Sequence, residues 1–490
     1  MLVVFSDVNI SDETISDNVD PDILENIIMK QVEVRAKKKD VNDIHLVLLG
    51  DIFDLCRTDW WLRNTTFDER PWNGNLNLET AMNNNERKIQ KQYMAILESI
   101  FSTSSSQIFV DKIKQLPNRT GKEIKITYII GDNDRALHNF EDLREKIKKQ
   151  FKPIEVCFHS KLFAPEYGVL ARHGHEWDEN THGWEFSNKV LNKNQNLPRF
   201  HKDAYKIMAI GEVINAELMS GLIYYLGKTI DPNKKPDVEF LNNFMDVNNL
   251  QPITDVFHWI DWFTQNQSQK YENMIRQSML KALNNTLESQ VARLWDRMAP
   301  YLLVSGDIID SLKLFHKVLS KKSLDEFQIM LKHMSYSEKV VHKAFNPKNP
   351  DKFRYSLEKK VPFFQTVFFQ KVFEVFLGGG EVDDQTAGAL MEWEDHHSPD
   401  MKKIQYVVYG HTHKAKREYF SGTPDGKMRM YINTGTFFPL IQRIQGKQVF
   451  SIDHRIGMVF FYKEDEDKEG QKSNGPSLDF WNLKFHKYYV

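Results

Sequence analysis

Across the first 175 residues, short apolar runs alternate with longer segments in which apolar residues recur every three or four positions. The runs "LVVF", "IHLVLL", "IKITYII" and "YGVLAR" are bounded by polar turn residues, which predicts strands. Between them, "PDILENIIMKQVEVRAKKK", "ERKIQKQYMAILESIF" and "NFEDLREKIKKQF" predict amphipathic helices packed on a sheet. This alternation predicts an α/β class. After "HGHEWDENTHGW" the period turns helical as far as about residue 378, in "YKIMAIGEVINAEL", "TLESQVARLWDRM", "IIDSLKLFHKVL" and "VPFFQTVFFQKVFEVF". Strands return in "IQYVVYG", "MRMYINTG", "QVFSID" and "GMVFFYK". The expected organisation is therefore one sheet domain in two halves, residues 1–178 and 401–463, with a helical insertion over 179–400. An acidic tether and tail, 464–490, would end in an edge strand or a docking segment.

Composition narrows the class without naming a chemistry. With 41% hydrophobic residues over 490 positions, the chain can bury sizeable cores. A formal charge of −2 carries no overall polyanion-binding footprint. Two cysteines, Cys56 and Cys157, exclude a disulfide scaffold and a Cys-rich zinc knuckle. Met1 runs straight into "LVVFSDVN" with no cationic and apolar leader, so the expected location is cytoplasmic. The most membrane-like stretch, "IMAIGEVINAELMSGLIYYLG", is interrupted by Glu212 and Glu217 and reads as a buried helix. The phenylalanines 363, 364, 368, 369, 373 and 376 read as a bundle face, and His396 and His397 as a solvated hinge.

Chemistry concentrates where strands end. "VVFSDVN" ends in Asp7 and Asn9, "LVLLGDIFD" in Asp51 and Asp54, and "TYIIGDND" in Asp132, Asn133 and Asp134. "LARHGHEWD" ends in His173 and His175, and "YVVYGHTHKA" in His411 and His413. In open α/β sheets, carboxyl strand ends converge on one crevice. Carboxylates gathered there without cations would repel one another, a conflict that divalent metal ions resolve.

In order, Asp-x-Asn, Gly-Asp-x-x-Asp, Gly-Asp-Asn-Asp, His-Gly and Gly-His-x-His resemble the calcineurin-like metallophosphoesterases. The resemblance covers 1 to about 178 and 402 to 463, and includes "INTGTFF" at 432–438. It implies a two-sheet sandwich flanked by helices, with the helical insertion as a cap over the crevice. It also implies two divalent ions, Mn²⁺ first, with Mg²⁺, Fe²⁺ or Zn²⁺ as alternatives. Carried over residue by residue, Asp51 bridges the ions, Asp7, Asn9 and His413 complete one site, and Asp132, His173 and His411 complete the other. Asp54 and Asp134 orient these ligands.

The implied activity is hydrolysis of a phosphodiester or pyrophosphate by a hydroxide held between the ions, on a nucleotide, nucleic-acid or related substrate. His411, Asn133 and Arg135 would contact phosphoryl oxygens. Asn9 stands where the family usually has histidine, Asp132 where it has asparagine, and Asn133 where it often has the histidine that assists the leaving group. His175 is then the candidate proton donor. Two further readings follow from the same residues. One is a catalytically degenerate module that binds a phosphorylated ligand, or a protein through the helical insertion; the other is a nuclease within a complex.

Overall fold

The computed structural model describes residues 1–301 and 384–488, apart from 39, 193–195, 251–255, 265–266, 396–398, 421–427, 445–449 and 468–475, plus single positions between 308 and 320. The phenylalanine run at 363–376, His396 and His397, and most of the helical periodicity beyond 301 lie outside the described residues.

The chain is a mixed α/β protein. Strands β1 (Leu2–Phe5), β2 (Ile44–Leu49), β5 (Ile124–Ile129) and β6 (Glu155–His159) lie parallel and adjacent. A two-residue hairpin, β3 (Leu76–Asn77) and β4 (Met82–Asn83), stands apart from them. The antiparallel strands β12 (Pro439–Arg443), β13 (Phe450–Tyr462) and β14 (Ser477–Tyr488) complete this seven-stranded sheet, with β13 against β1. A five-stranded sheet has the order β10 (Lys416–Phe420), β11 (Arg429–Asn433), β9 (Tyr406–Tyr409), β8 (Val169–Ala171), β7 (Leu162–Ala164).

Alternation along the strands explains the layering. Leu2, Val4, Val47, Leu49 and Ile129 of the first sheet share a buried apolar layer with Val169, Ala171, Val408 and Ile432 of the second. The intervening residues Val3, Phe5, Leu46, Leu48, Ile126 and Tyr128 face the opposite way, into the core beneath the helices. Being buried on both faces, β1 reads as a continuous apolar run and β2 as one interrupted only by His45, whereas β5 carries the exposed Lys125 and alternates in part. On the far side, Leu170, Val407, Tyr409 and Tyr431 pack with Ala389 and Trp393 of the helix Asp384–Asp395.

The helices between Trp184 and Tyr301 bury their apolar faces in the same core that backs the first sheet, through Phe186, Val213, Leu222 and Trp295. The membrane-like stretch falls in the 26-residue helical segment Ala204–Thr229, long and apolar enough by composition to span a bilayer, with 83% of its most apolar window buried inside the protein. Its two glutamates face arginines: Glu217 takes Arg70 at 2.5 Å and Glu212 takes Arg135.

Three expectations need correction. "QVFSID" and "GMVFFYK" form one strand, Phe450–Tyr462, because Gly457 marks a close approach, where a Cβ would lie 2.0 Å from the Thr434 carbonyl oxygen. The helix Ser104–Thr120 goes unread in the sequence, since its serine-rich start and Pro117 look like a loop. The acidic tether is not wholly solvated: Glu466 is fully buried, accepting from the Met1 amino group at 2.9 Å, and the tail is edge strand β14.

Candidate metal centre

Parallel register sets where the site forms. Phe5 pairs with Leu48 and Leu49 with Ile129, so the carboxyl ends of β1, β2 and β5 lie level. In the second sheet Ala171 pairs with Val408, which brings the ends of β8 and β9 level too. Backbone bonds then fasten the loops: Asp7 N–H donates to Gly50 at 3.0 Å, Asn9 N–H to Asp51 at 2.8 Å, and Gly410 N–H to His173 at 2.8 Å. The "INTGTFF" turn closes on the same point, with Phe437 N–H and the Thr436 hydroxyl both donating to the Asp7 carbonyl. Asp7, Asn9, Asp51, His411 and His413 all adopt left-handed backbone conformations, with φ between 52° and 67°. Such conformations are uncommon outside glycine, although Asp, Asn and His tolerate them best, and they cluster where the fold forces side chains into a site.

The side chains meet. His173 Nε2 lies 3.1 Å from Asp132, 3.4 Å from Asp51 and 4.0 Å from Asp7. Its other nitrogen faces the Leu49 carbonyl at 2.8 Å, which fixes the ring with Nε2 toward the carboxylates. His411 Nδ1 lies 3.1 Å from Asp132, and His413 Nε2 lies 3.2 Å from Asp7. Asn133 clamps Asp51 twice, from its backbone N–H at 2.9 Å and its side-chain amide at 2.8 Å.

The electrostatics are those of a cation site. Asp7, Asp51 and Asp132 are buried, and their only ion-pair partners among the described residues are imidazoles. Burial, reinforced by Asp132, pushes the Asp51 carboxyl up to about 6. Burial also opposes charge on Asp132, but the His411 and His173 charges win and hold it well below the usual carboxylate range. On the two imidazoles burial is again outweighed: Asp51 and Asp7 hold His173 well above its ordinary value, and Asp132 carries His411 to about 10. Protons on the rings thus supply the counter-charge that cations would supply instead.

The donors fit divalent ions. One ligand atom each from Asp132, His173 and His411 lies within 4.8 Å of the others, and the same holds for Asp7, Asp51 and His173. Asp7 Oδ1 is buried without a well-formed hydrogen bond, with only the His413 imidazole at 3.2 Å and His173 at 4.0 Å beside it. An orphaned buried carboxylate oxygen beside a set of oxygen and imidazole donors is what a divalent cation satisfies.

Other expected roles fare differently. Asn9 is fully buried beside the cluster, with its side-chain carbonyl accepting from Asn133 at 3.4 Å and its Nδ2 without a partner. Arg135 is corrected outright. Its guanidinium is engaged by Glu212 through Nε and Nη2, by Asn139 and the Lys206 carbonyl through Nη1, and by Met82 sulfur, which leaves no donor for a phosphoryl oxygen. His175 is also corrected: burial brings its imidazole down to about 3, so it is neutral near pH 7 and carries no proton to give as an imidazolium. Asp54 holds Arg57 and the backbone of Cys56 and Arg57 rather than a metal ligand. Asp134 accepts from Tyr128 and from Gly131 N–H, shaping the loop that carries Asp132.

Several residues of the site escaped the sequence reading. Ser6 donates to Asp7 Oδ2 and meets Thr434 at 2.6 Å. Asn433 donates to the Gly410 carbonyl at 2.6 Å and contacts Thr412 at 3.0 Å, holding the Gly-His-Thr-His turn. From the helical segment, Asn215 donates to the Asn133 side chain at 3.0 Å, and Asp178 lies 3.2 Å from His411 Nε2. Ser6, next to Asp7, and Asn433 and Thr434, within "INTGTFF", carried a positional signal; Asn215 carried none. Searches against models of known protein families and against curated proteins returned no match to the chain.

Proposed function

We propose that this chain is a metal-dependent phosphoester hydrolase built as a calcineurin-like metallophosphoesterase, with Asp7, Asp51, Asp132, His173, His411 and His413 holding two divalent ions. The observation that carries the reading is the convergence of five separate strand ends on one cluster of three buried carboxylates and three imidazoles that has no arginine or lysine partner among the described residues. When bound, such ions supply Lewis acidity toward water and counter-charge for a phosphoryl group.

The chain's own residues set what else can happen. Asp51 belongs to one ligand group with Asp7 and His173, and Asn133 donates to both of its oxygens, so its carboxylate is held in place for an ion. His411 and His413 are partly exposed at the rim and face incoming substrate. With Arg135 occupied and His175 neutral, neither of these two residues supplies a strong proton donor to a leaving group. A diester or pyrophosphate, whose leaving group needs little protonation, therefore suits the site better than a monoester of a simple alcohol.

That same shortage favours a second reading, a module that binds a phosphorylated ligand without turnover. Hydrolysis of a chromogenic phosphodiester with Mn²⁺ separates the two. For a hydrolase, Asp51→Asn lowers the rate by more than about 100-fold, because even outer partners of metal ligands are worth 10- to 100-fold. Equal background rates in parent and variant, with Mn²⁺ bound, would leave the binding module standing.

A further inference from the structure

The two imidazoles that share Asp132 are held by different parts of the chain. His173 is fixed from within the sheet by the Leu49 carbonyl. His411 is fixed from outside it: Nδ1 faces Asp132 at 3.1 Å, while Nε2 faces Asp178 Oδ2 at 3.2 Å and the Thr181 hydroxyl at 3.4 Å. A neutral imidazole has one N–H, so a proton given to Asp178 from Nε2 leaves the Nδ1 lone pair directed at the ligand cluster.

Asp178 is itself held in place. Its Oδ1 accepts the Asn180 backbone N–H at 2.8 Å, which leaves Oδ2 for His411. Its carbonyl accepts from Thr181 and His182 N–H at 3.2 and 3.1 Å, and its own N–H donates to His175 at 3.0 Å. The turn is then tied to the helix that begins at Ile210, where Gly211 N–H donates to the Asn180 carbonyl at 2.8 Å. A continuous run of hydrogen bonds thus joins the helical segment to an imidazole of the site.

We propose that Asp178 is a positioning residue for the metal centre. Its carboxylate selects the His411 tautomer and aims Nδ1 at the ion shared with Asp132 and His173, so that the root of the helical segment is a working part of the centre. This inference rests on the metal-binding reading above. Carboxylate partners of ligating histidines set ring orientation and basicity in this way.

The test is a Mn²⁺ titration of the full chain, following free Mn²⁺ by electron paramagnetic resonance, with four proteins compared. Asp178→Ala is expected to weaken binding by about 10- to 100-fold. Asp178→Asn keeps an acceptor oxygen for Nε2–H and is expected to recover much of that loss. Asp203→Asn, an exposed change on the same segment away from the site, is expected to bind as the parent does. Unchanged affinity in Asp178→Ala, with the parent binding Mn²⁺, overturns the positioning role alone. Equal losses in the Ala and Asn variants overturn it as well, since they would reduce Asp178 to a nearby negative charge. A parent that binds no Mn²⁺ overturns the metal reading and this inference together.

Discussion

Gly50 shows how tightly single residues are drawn into the centre. Its φ is +83°, and a Cβ there would lie 2.2 Å from His173 Nδ1, the atom that faces the Leu49 carbonyl. Gly121 has a similar φ of +69° at a helix end, but a Cβ there would meet nothing within 4 Å. Gly121→Ala is therefore expected to cost only the backbone term, about 1–2 kcal/mol. Gly50→Ala adds displacement of a packed imidazole, for roughly 2–5 kcal/mol in all. Urea unfolding of the two variants checks the difference, and equal costs would mean that His173 yields without resistance. The candidate ligand residues were legible because they close apolar runs and no ordinary strand end needs so many carboxylates and imidazoles. Asp178 and Asn215 were not, because nothing local distinguishes an aspartate in a turn or an asparagine on a helix from a solvated one. Arg135 was misread for the matching reason: its partner Glu212 lies 77 residues away and shows no relation to it in the sequence.

At the level of elements, strands β2 and β5 carry a pH-sensitive pairing of their own. His45 is 7% exposed, its Nε2 meets the Thr127 hydroxyl at 2.8 Å, and its cross-strand neighbour is Lys125. Burial, with the Lys125 charge adding to it, brings the imidazole down to about 4. The unfolded chain takes up a proton below about 6.5, while the folded one resists until about 4. Stability from this group is therefore present above 6.5 and lost as pH falls from 6.5 toward 4, by roughly 3 kcal/mol in total. Urea midpoints measured from pH 7 to 5 should fall less steeply in His45→Gln than in the parent, and parallel slopes would remove His45 from the account. Elements differ in how well the sequence announces them, for related reasons. The parallel strands β1, β2 and β5 were plain because burial makes them mostly apolar, with only His45, Lys125 and Thr127 interrupting the runs. Strands such as Glu155–His159 and Lys416–Phe420, half exposed and short, carry no such run. Where Gly457 suggested a turn, a long-range contact with Thr434 had set the requirement instead.

Over the whole molecule, the first sheet and the helices of 184–301 share a core, and buried ion pairs tie those helices to the loops of the sheet domain. Glu217, fully buried on the helical segment Ala204–Thr229, accepts from Arg70 at 2.5 Å and from the Trp72 indole at 2.7 Å, both on the long loop after β2. Removing one partner of a buried pair strands the other charge, at about 3–5 kcal/mol, whereas replacing both with apolar groups is often neutral. Glu217→Leu should therefore destabilise by that amount, and Arg70→Met combined with Glu217→Leu should recover most of it. The informative observation is which parts of the chain register the loss. If the helices were an independent unit, native-state hydrogen exchange would weaken in Ala204–Thr229 and stay unchanged in the central strands Leu2–Phe5 and Ile44–Leu49. A shared core instead makes the strands and the helix lose protection by the same free energy, because each opens fully only when the other does. The same continuity bears on the centre: Asn133 leans on Asn215 of the helical segment, and His411 leans on Asp178 in a turn bonded to that segment through Gly211, so a segment that opened separately would loosen both. Equal loss of protection in strands and helix is the expected result, and a loss confined to the helix would show that the site is framed by two bodies rather than one.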